Sequence, residues 1–259
     1  MTGYPNHQLN YFQYISYGFI LALWSLNVWA ETTQSIDEQL IHAAGKGNRP
    51  MVKNILEEEI KISQDTINRA FFSGIKKGNK SIVQLLINRG AETDYRGDKG
   101  YTALIQSARD GRNQLVKLLL SLGADVNAVA TETGETALML AAQKNRKKIV
   151  DQLLAAKANF NTSRNDDGMT ALMLAARGGH QLITLALVKA GAEVDHQLEN
   201  GATALMLAAQ HGHLDVIYVL LSAKADVNIE ASNGATALTL ANVHRHFKAV
   251  EMLKRAGAR

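Results

Sequence analysis

The sequence predicts an all-α solenoid of about seven helix-turn-helix units with short hairpin-like loops between them. Two observations carry this prediction. Near-copies of one segment begin at Gly100, Gly134, Gly168, Gly201 and Gly234, 33 or 34 residues apart, and the apolar residues within each copy follow the spacing of a helix face. A fixed period of this size is typical of supersecondary units stacked in a row. Each unit then buries its apolar face only against its neighbours, so function must be sought at exposed positions.

The copy at 201–233 shows how one unit is built. Thr203 is predicted to cap the first helix, because its hydroxyl can accept a hydrogen bond from a backbone N–H that has no partner within the helix. The other copies carry this cap at Thr102, Thr136, Thr170 and Thr236. The first helix is predicted over 204–210, and a glycine turn ends it. A second helix is predicted from about 214 to 223, with one apolar stripe.

Three motifs recur in the copies: G-x-T-A-L-x-x-A at the first helix, G-H at the turn between the helices, and A-D-V-N at the start of the loop. A helix, turn, helix and loop with these motifs resemble the ankyrin repeat, closely over 100–259 and more weakly over 37–98. The resemblance implies L-shaped units stacked into a curved solenoid. It also implies that the first helices and the loop tips line a concave surface that binds another protein.

The copies depart from the family pattern where the second helix closes. Lys157 and Lys224 stand at a position that other copies fill with glycine. We expect both lysines to adopt the left-handed backbone conformation, at a cost of about 1 kcal/mol each relative to glycine. In the first helix, methionine replaces the family's histidine in several copies, and we expect it to fill a gap in the core.

The first 30 residues lie outside the repeats and are predicted to be a signal peptide. Residues 17–30 form an uncharged apolar run, which as a helix would be about 21 Å long and therefore shorter than the roughly 30 Å hydrocarbon core of a bilayer. Small residues near Ala30 favour cleavage after it. We therefore expect an exported, bacterial-type ankyrin protein, periplasmic or secreted. Because no Lys or Arg precedes Lys46, the alternatives are an uncleaved membrane anchor at residues 15–30 or a first helix packed on the solenoid.

The mature chain is predicted to consist of repeats and little else. Its segments are a short tether (31–36), a degenerate N-terminal capping repeat (37–64), a divergent repeat (65–98), and five ankyrin repeats (99–259), the last one capping. In the divergent repeat we expect Phe71 and Phe72 to replace small residues of the first helix. Terminal repeats are expected to be atypical because one of their faces meets water.

Composition excludes several classes of chemistry. Apolar residues make up 46% of the 259-residue chain, Lys and Arg outnumber Asp and Glu by 28 to 24, and there is no cysteine. Disulfides, thiol catalysis and cysteine-bound zinc are therefore excluded. The sequence contains no nucleophile elbow, phosphate-binding loop or dinucleotide fingerprint. We expect neither catalytic activity nor a cofactor.

Two histidine pairs, His211 with His213 and His244 with His246, are the one pattern that suggests a metal site. No Asp or Glu recurs beside them to complete a tetrahedral set of ligands. His180, His213 and His246 also occupy the G-H position of the family. We therefore expect a structural role for these three and no bound metal.

The candidate contact residues lie at positions that the family leaves variable: the loop before each glycine, the residue after it, and the residues that close the first helix. They are Tyr101, Arg109, Asp110, Glu132, Glu135, Gln143, Lys144, Asp166, Asp167, Met169, Arg177, Glu199, Asn200, Gln210, His211 and His244. The loop tips are acidic, and the helix ends are basic or neutral. Tyr101 supplies the aromatic kind of anchor that dominates binding energy at interfaces. We expect Glu135→Lys with Asp167→Lys to weaken binding and to leave stability unchanged.

An alternative function is the binding of a polyanion, such as a lipid headgroup or nucleic acid, through a basic surface. Lys144, Arg146, Lys147 and Lys148 are its candidate residues. A mild excess of positive charge does not by itself indicate nucleic acid, so nucleic acid is not the expected partner. Binding that weakens steeply with salt would favour this alternative. The protein is expected to be a monomer.

Overall fold

The described part of the chain folds into seven helix pairs. The computed structural model describes residues 35–58 and 61–259, which form fourteen α-helices and no β-strand. In order these are α1 (Ile36–Lys46), α2 (Arg49–Glu57), α3 (Gln64–Lys77), α4 (Lys80–Asn88), α5 (Ala103–Arg109), α6 (Asn113–Ser121), α7 (Ala137–Gln143), α8 (Lys147–Ala155), α9 (Ala171–Arg177), α10 (Gln181–Ala190), α11 (Ala204–Gln210), α12 (Leu214–Ser222), α13 (Ala237–Val243) and α14 (Phe247–Arg255). Each odd-numbered helix and its successor form one unit. The predicted all-α solenoid of seven helix-turn-helix units is confirmed.

The predicted signal peptide at 1–30 lies outside the described residues. Helix α1 begins at Ile36 with Ser35 as its N-cap, so the first unit starts where the predicted tether ends. A single 3-10 turn at Asp98–Gly100 precedes the third unit. None of the described helices is both long enough and apolar enough to cross a bilayer.

Threonine caps fix the start of the first helix in each of the last five units. Thr203 Oγ1 accepts a hydrogen bond from the backbone N–H of Met206 at 3.3 Å. The four equivalent threonines make the same bond three residues ahead. In the first two units Ser35 and Ser63 take this role. The predicted caps are confirmed, and α11 has its predicted bounds.

The units stack in two layers, because first helices pack against first helices and second helices against second helices. Ala208 and Ala209 of α11 are fully buried, and their small side chains let the neighbouring first helices come close. In the second layer, Ile217 and Leu220 of α12 have no exposed surface, and Leu214 and Leu221 of the same stripe are half-buried.

In helix α3, Phe71 is buried at the position that Leu205 fills in the sixth unit, and Phe72 at the position of Met206. The expectation that these phenylalanines replace small residues is wrong, because the small residues of the other units align with Gly74 and Ile75.

The turn between the two helices of a unit is hydrogen-bonded to the corresponding turn of the preceding unit. His213 Nε2 donates to the backbone carbonyl oxygen of Arg177 in the preceding unit at 3.0 Å. His180 and His246 make the same bond in the fifth and seventh units. In the third unit, Arg112 Nη2 donates to a carbonyl oxygen of the second unit at 3.3 Å. The histidines of the G-H position therefore have the structural role predicted for them.

A second row of bonds joins the loops. Asn127 Oδ1 accepts from the backbone N–H of Asn159 in the next unit at 2.8 Å, and Asn161 accepts from Glu193 at 3.0 Å. Asp94, Asp195 and Asn228 accept from the following loop in the same way. Because each loop is bonded to its neighbour, the A-D-V-N motif holds the loops in register.

Left-handed residues occur where the sequence predicts them and also elsewhere. Lys157 and Lys224 both have a φ of 63°, which confirms the expected conformation. Lys99, Asn145 and Arg245 also have positive φ, and this was not predicted. The last two stand in turns at the position where other units have glycine. A left-handed L-residue costs roughly 1–2 kcal/mol, which the packing of the units must offset.

Candidate functional site

The predicted contact residues lie on one surface, which we call the contact face. It is formed by the loop tips (98–101, 132–135, 166–169, 199–202 and 232–235) and the adjacent first helices α5, α7, α9, α11 and α13. The exposed members of the predicted set are Glu132, Lys144, Asp166, Glu199, Asn200, His211 and His244. The half-buried members are Arg109, Asp110, Gln143, Asp167, Arg177 and Gln210. Tyr101, Glu135 and Met169 are buried.

Tyr101 is not the exposed aromatic anchor that the sequence suggested. Its side chain is only 4% exposed, and its hydroxyl donates a hydrogen bond to Glu135 Oε2 at 2.6 Å. The guanidinium of Arg109 lies 5.2 Å from the ring centroid, within cation–π range. Burial, and next the neighbouring Glu135 carboxylate, raise the pKa of Tyr101, so it remains a protonated donor. The prediction is wrong because the residue after the loop glycine turns inward beneath the tip.

Arg164 joins the loop tips of two units into one cluster, and sequence reasoning did not include it. Its Nη1 lies 3.4 Å from Glu135 Oε1, and its Nε donates to Asp167 Oδ1 at 2.9 Å. The Arg164 side chain is 13% exposed. The hydrogen bond from Arg164 lowers the pKa of Asp167, and the same bond raises the pKa of Arg164. We call Tyr101, Glu135, Arg164 and Asp167 the Arg164 cluster.

The Arg164 cluster determines which acidic side chains of the contact face are exposed to solvent. The buried Glu135 and the half-buried Asp167 are paired with Arg164. Glu132, Asp166 and Glu199 are the exposed acidic tips, and Asp166 also lies 3.2 Å from Arg164 Nε. The expectation that Glu135→Lys leaves stability unchanged rested on an exposed side chain, and that premise is wrong. A single Arg among several acidic residues of adjacent loops was the signal that could have revealed the cluster.

A groove opens on the contact face at the last two units. Its volume is about 250 Å³. Its lining is Asn200, Ala202, Met206, Gln210, Ala231, Ser232, Asn233, Ala235 and Leu240. Ala202 and Ala235 occupy the position that Tyr101, Glu135 and Met169 fill in the third to fifth units. Since alanine leaves that space empty, the groove follows directly from a change of residue size. Asn200 and Gln210 are the predicted contact residues that line it.

The histidine pairs lie at the turn end of the first helices. The rings of His211 and His213 are 5.8 Å apart, and those of His244 and His246 are 6.3 Å apart. Burial first, and then the positive groups around it, lower the pKa of His211. Within the described residues, no group of three or more His, Cys, Asp or Glu is placed to hold a metal ion. One nitrogen of His213 and one of His246 are already bonded to carbonyl oxygens.

Comparison with known families agrees with the geometry. A model of ankyrin repeats matches residues 40–130, 128–198 and 182–259, three copies that together extend through the seven units. The chain belongs to the ankyrin repeat family.

The relatives of this ankyrin repeat protein match it over short segments. Ankyrin repeat and SAM domain-containing protein 6 of Rattus norvegicus is 36% identical over 93 residues, which are 34% of this chain and 10% of that protein. Protein phosphatase 1 regulatory subunit 27 of Mus musculus is 36% identical over 72 residues, 26% of this chain and 47% of that one. Notch-regulated ankyrin repeat-containing protein A of Danio rerio is 40% identical over 68 residues, which are 25% of this chain and 61% of that protein. The chain thus spans less than two thirds of each of these relatives.

Proposed function

We propose that this ankyrin repeat protein is a non-catalytic adaptor, which binds another protein on its contact face. The groove between the last two units carries the proposal, because it is an open recess on the contact face. Its floor is apolar, with Met206 and Leu240. Its rim carries the side-chain amides of Asn200, Asn233 and Gln210. An apolar floor with a few placed polar groups is the usual composition of a binding pocket.

The groove fits an apolar side chain of a partner, inserted between the loop tips, while the amides of the rim bond to the partner's backbone. Interface anchors typically insert in this way into a pocket that excludes water. Glu199 is exposed at the rim and Glu132 and Asp166 on the tips further along, which favours a basic segment beside the anchor. Among the relatives, one is by name a regulatory subunit of a phosphatase.

Filling the groove is expected to abolish partner binding. Ala202→Tyr with Ala235→Tyr places, in the last two units, the side chain that the third unit carries at Tyr101. Since both positions face the open groove, we expect at least a tenfold loss of affinity for the partner, as a single interface anchor is worth about 2 kcal/mol or more. Partners are captured from the native host with the full chain, and the affinity of a captured protein is then measured by calorimetry.

A matched control introduces the same tyrosine side chain at a position outside the contact face. Ala155→Tyr adds the same ring at an exposed position at the end of α8, away from the contact face, and is expected to bind like the parent protein. If the Ala155 variant loses the partner while the groove variant retains it, the contact face is not the binding surface. Thermal unfolding of both variants shows whether either result reflects loss of the fold.

Three of the four candidate residues for a polyanion lie outside the contact face, and the fourth, Lys144, belongs to both sets. Lys147 and Lys148 belong to the first turn of α8, and Arg146 precedes that helix at its N-cap position without a side-chain capping bond. Lys147 is ion-paired with Asp151, and Lys148 is exposed. Because these side chains surround the turn and not the loop tips, charge reversal there is expected to leave the contact-face partner bound.

Export is a further part of the proposal. The apolar run at 17–30 and the small residues near Ala30 support cleavage after Ala30, which would give a periplasmic or secreted protein that begins at Glu31. N-terminal sequencing of the protein from its native host is expected to start at Glu31. A chain that keeps residues 1–30 and partitions with membranes would replace this with an anchored protein, and one that keeps them in the cytosol would remove export altogether.

A further inference from the structure

Basic side chains collect along one edge of the solenoid, which we call the turn edge. It consists of the turns at 46–49, 77–80, 109–113, 143–148, 177–181, 210–214 and 243–248. Every turn carries at least one Lys or Arg except the sixth, which carries His211 and His213. Besides the bonds between turns already described, Asn79 Nδ2 lies 3.5 Å from the carbonyl oxygen of Gly47, and the Arg146 side chain lies against Gly111. The turn edge is therefore continuous through all seven units.

Much of this charge has no local counter-charge. Lys80, Lys148 and Lys248 are exposed and stand in the first turn of a second helix. Within the described residues, none of the three has a carboxylate within 4.0 Å, whereas Lys76 and Lys147 near the same edge are ion-paired. The positive charge of these three lysines is thus directed to solvent and available to a ligand.

The charge is unevenly distributed, because Asp110 is the one acidic residue within the turns and the exposed Asp215 follows the sixth turn. The exposed acidic residues Glu132, Asp166 and Glu199 lie on the loop tips at the opposite ends of the helices. Packed helices are about 8–10 Å apart, so the row from Lys80 in the second unit to Lys248 in the seventh extends over about 40–50 Å. That length is several times the Debye length of about 8 Å at physiological salt. An extended anionic surface can therefore contact basic residues of all these turns at once, whereas a small anion can contact the residues of only one turn.

Large apolar side chains are exposed on the same edge. Val243 is 73% exposed and Phe247 is 66% exposed, and they flank the turn that carries His244 and His246. Leu182, which is 62% exposed, follows the turn at His180. Basic residues interleaved with exposed apolar side chains are typical of surfaces that lie on lipid bilayers, where the charges meet headgroups and the apolar groups enter the acyl boundary.

We propose that the turn edge docks this protein on membranes that carry anionic phospholipids. Nucleic acid would also neutralise the lysines, but its backbone offers no apolar medium for Val243 and Leu182, whereas a bilayer does. The loop tips stay free when the turn edge lies on a membrane, because they are at the other ends of the helices. The contact-face residues that close the first helices, such as Lys144 and His211, belong to the turn edge. Lipid docking therefore leaves the loop-tip part of the contact face open to the proposed protein partner.

Charge reversal on the turn edge tests this. Lys80→Glu, Lys148→Glu and Lys248→Glu are made together in the full chain, and binding is measured by co-sedimentation with phosphatidylcholine vesicles that contain about 30% phosphatidylserine. Since each basic residue near such a surface contributes about 1 kcal/mol, we expect affinity to fall on the order of a hundredfold. Glutamate in the first turn of a helix is favourable, so the variant is expected to keep the fold, which thermal unfolding checks.

The matched control is Lys117→Glu, Lys189→Glu and Lys254→Glu, which changes the net charge by the same amount at exposed positions of second helices away from the turns. Both variants keep residues 17–30, so any binding by that apolar run is common to them. The proposal requires the control to bind anionic vesicles like the parent. Equal losses in the two variants, or equal binding of the parent to vesicles of phosphatidylcholine alone, would overturn it.

The apolar side chains separate a bilayer from nucleic acid. Val243→Ser with Phe247→Ser is expected to weaken vesicle binding at least tenfold, since two exposed apolar groups lose their transfer into the acyl boundary. A parent protein that fails to bind vesicles but binds a fluorescent duplex RNA or DNA through the three lysines would assign the turn edge to nucleic acid instead. Retained vesicle binding by Ala202→Tyr with Ala235→Tyr shows that the two surfaces act separately.

Discussion

Leu205→Asp is expected to unfold the protein or to leave only a partly folded chain. Leu205 is 1% exposed and lies in the first layer of the sixth unit, between the first helices of its neighbours. The substitution removes a buried apolar side chain, which costs about 2–5 kcal/mol by itself. It also leaves a carboxylate without a partner in the core, at several kcal/mol more. Together these approach the whole stability of a typical domain, about 5–15 kcal/mol. Circular dichroism and chemical denaturation measure the loss.

Deleting the whole unit at 201–233 is expected to be far milder than this single substitution. The deletion brings α13 onto α9, and α13 keeps the Ala-Leu start, the second leucine and one buried alanine of the lost α11. Thr236 caps α13 as Thr203 caps α11, and His246 makes the same type of bond as His213. A helical, cooperatively unfolding chain one unit shorter is the expected product. A deletion that abolishes helicity while Leu205→Asp is tolerated would mean that the units do not stack as equivalents.

The fold could be predicted because its determinants are local and repeat. The cap at Thr203, the glycine turn and the alanine pair recur at one spacing, so each copy supports the interpretation of the others. The left-handed Lys157 and Lys224 were predictable for the same reason, since the aligned position in other units is glycine. Asn145 and Arg245 were missed, although the aligned position of the sixth unit, Gly212, also has positive φ.

The contact face was less predictable, because its exposure depends on contacts between units. Position within the repeat placed Tyr101 and Glu135 at the surface, but the residue after the loop glycine turns inward and is covered by the next loop. Only the structure shows that Arg164 reaches both Glu135 and Asp167. To predict the groove, the alanines at 202 and 235 must likewise be compared with the larger residues at the same position in other units. Such comparisons use the repeat alignment, so part of this site was within reach of the sequence.

Glu135→Lys is expected to destabilise the protein by about 3–5 kcal/mol, the range for breaking one partner of a buried ion pair. Glu135 is 7% exposed and accepts hydrogen bonds from Tyr101, Thr133 and Arg164. A lysine there can accept none of them, and its ammonium would lie beside the Arg164 guanidinium. Chemical denaturation gives the change in unfolding free energy. Glu132→Lys has the same change of charge on the exposed tip three residues away, where substitutions usually stay within about 0.5 kcal/mol.

Exchanging the two charges tests whether this cost comes from the Arg164 cluster itself. Glu135→Lys with Arg164→Glu restores an opposite pair across the same gap, so the double variant is expected to be more stable than the sum of the single changes by about 1–3 kcal/mol. Recovery should be incomplete, because the introduced lysine cannot accept from the Tyr101 hydroxyl and the introduced glutamate would face Asp166 and Asp167. Additive effects of the two changes, or a Glu135→Lys cost no larger than that of Glu132→Lys, would show that the loop tips are held by their backbone bonds and that the cluster contributes nothing to stability.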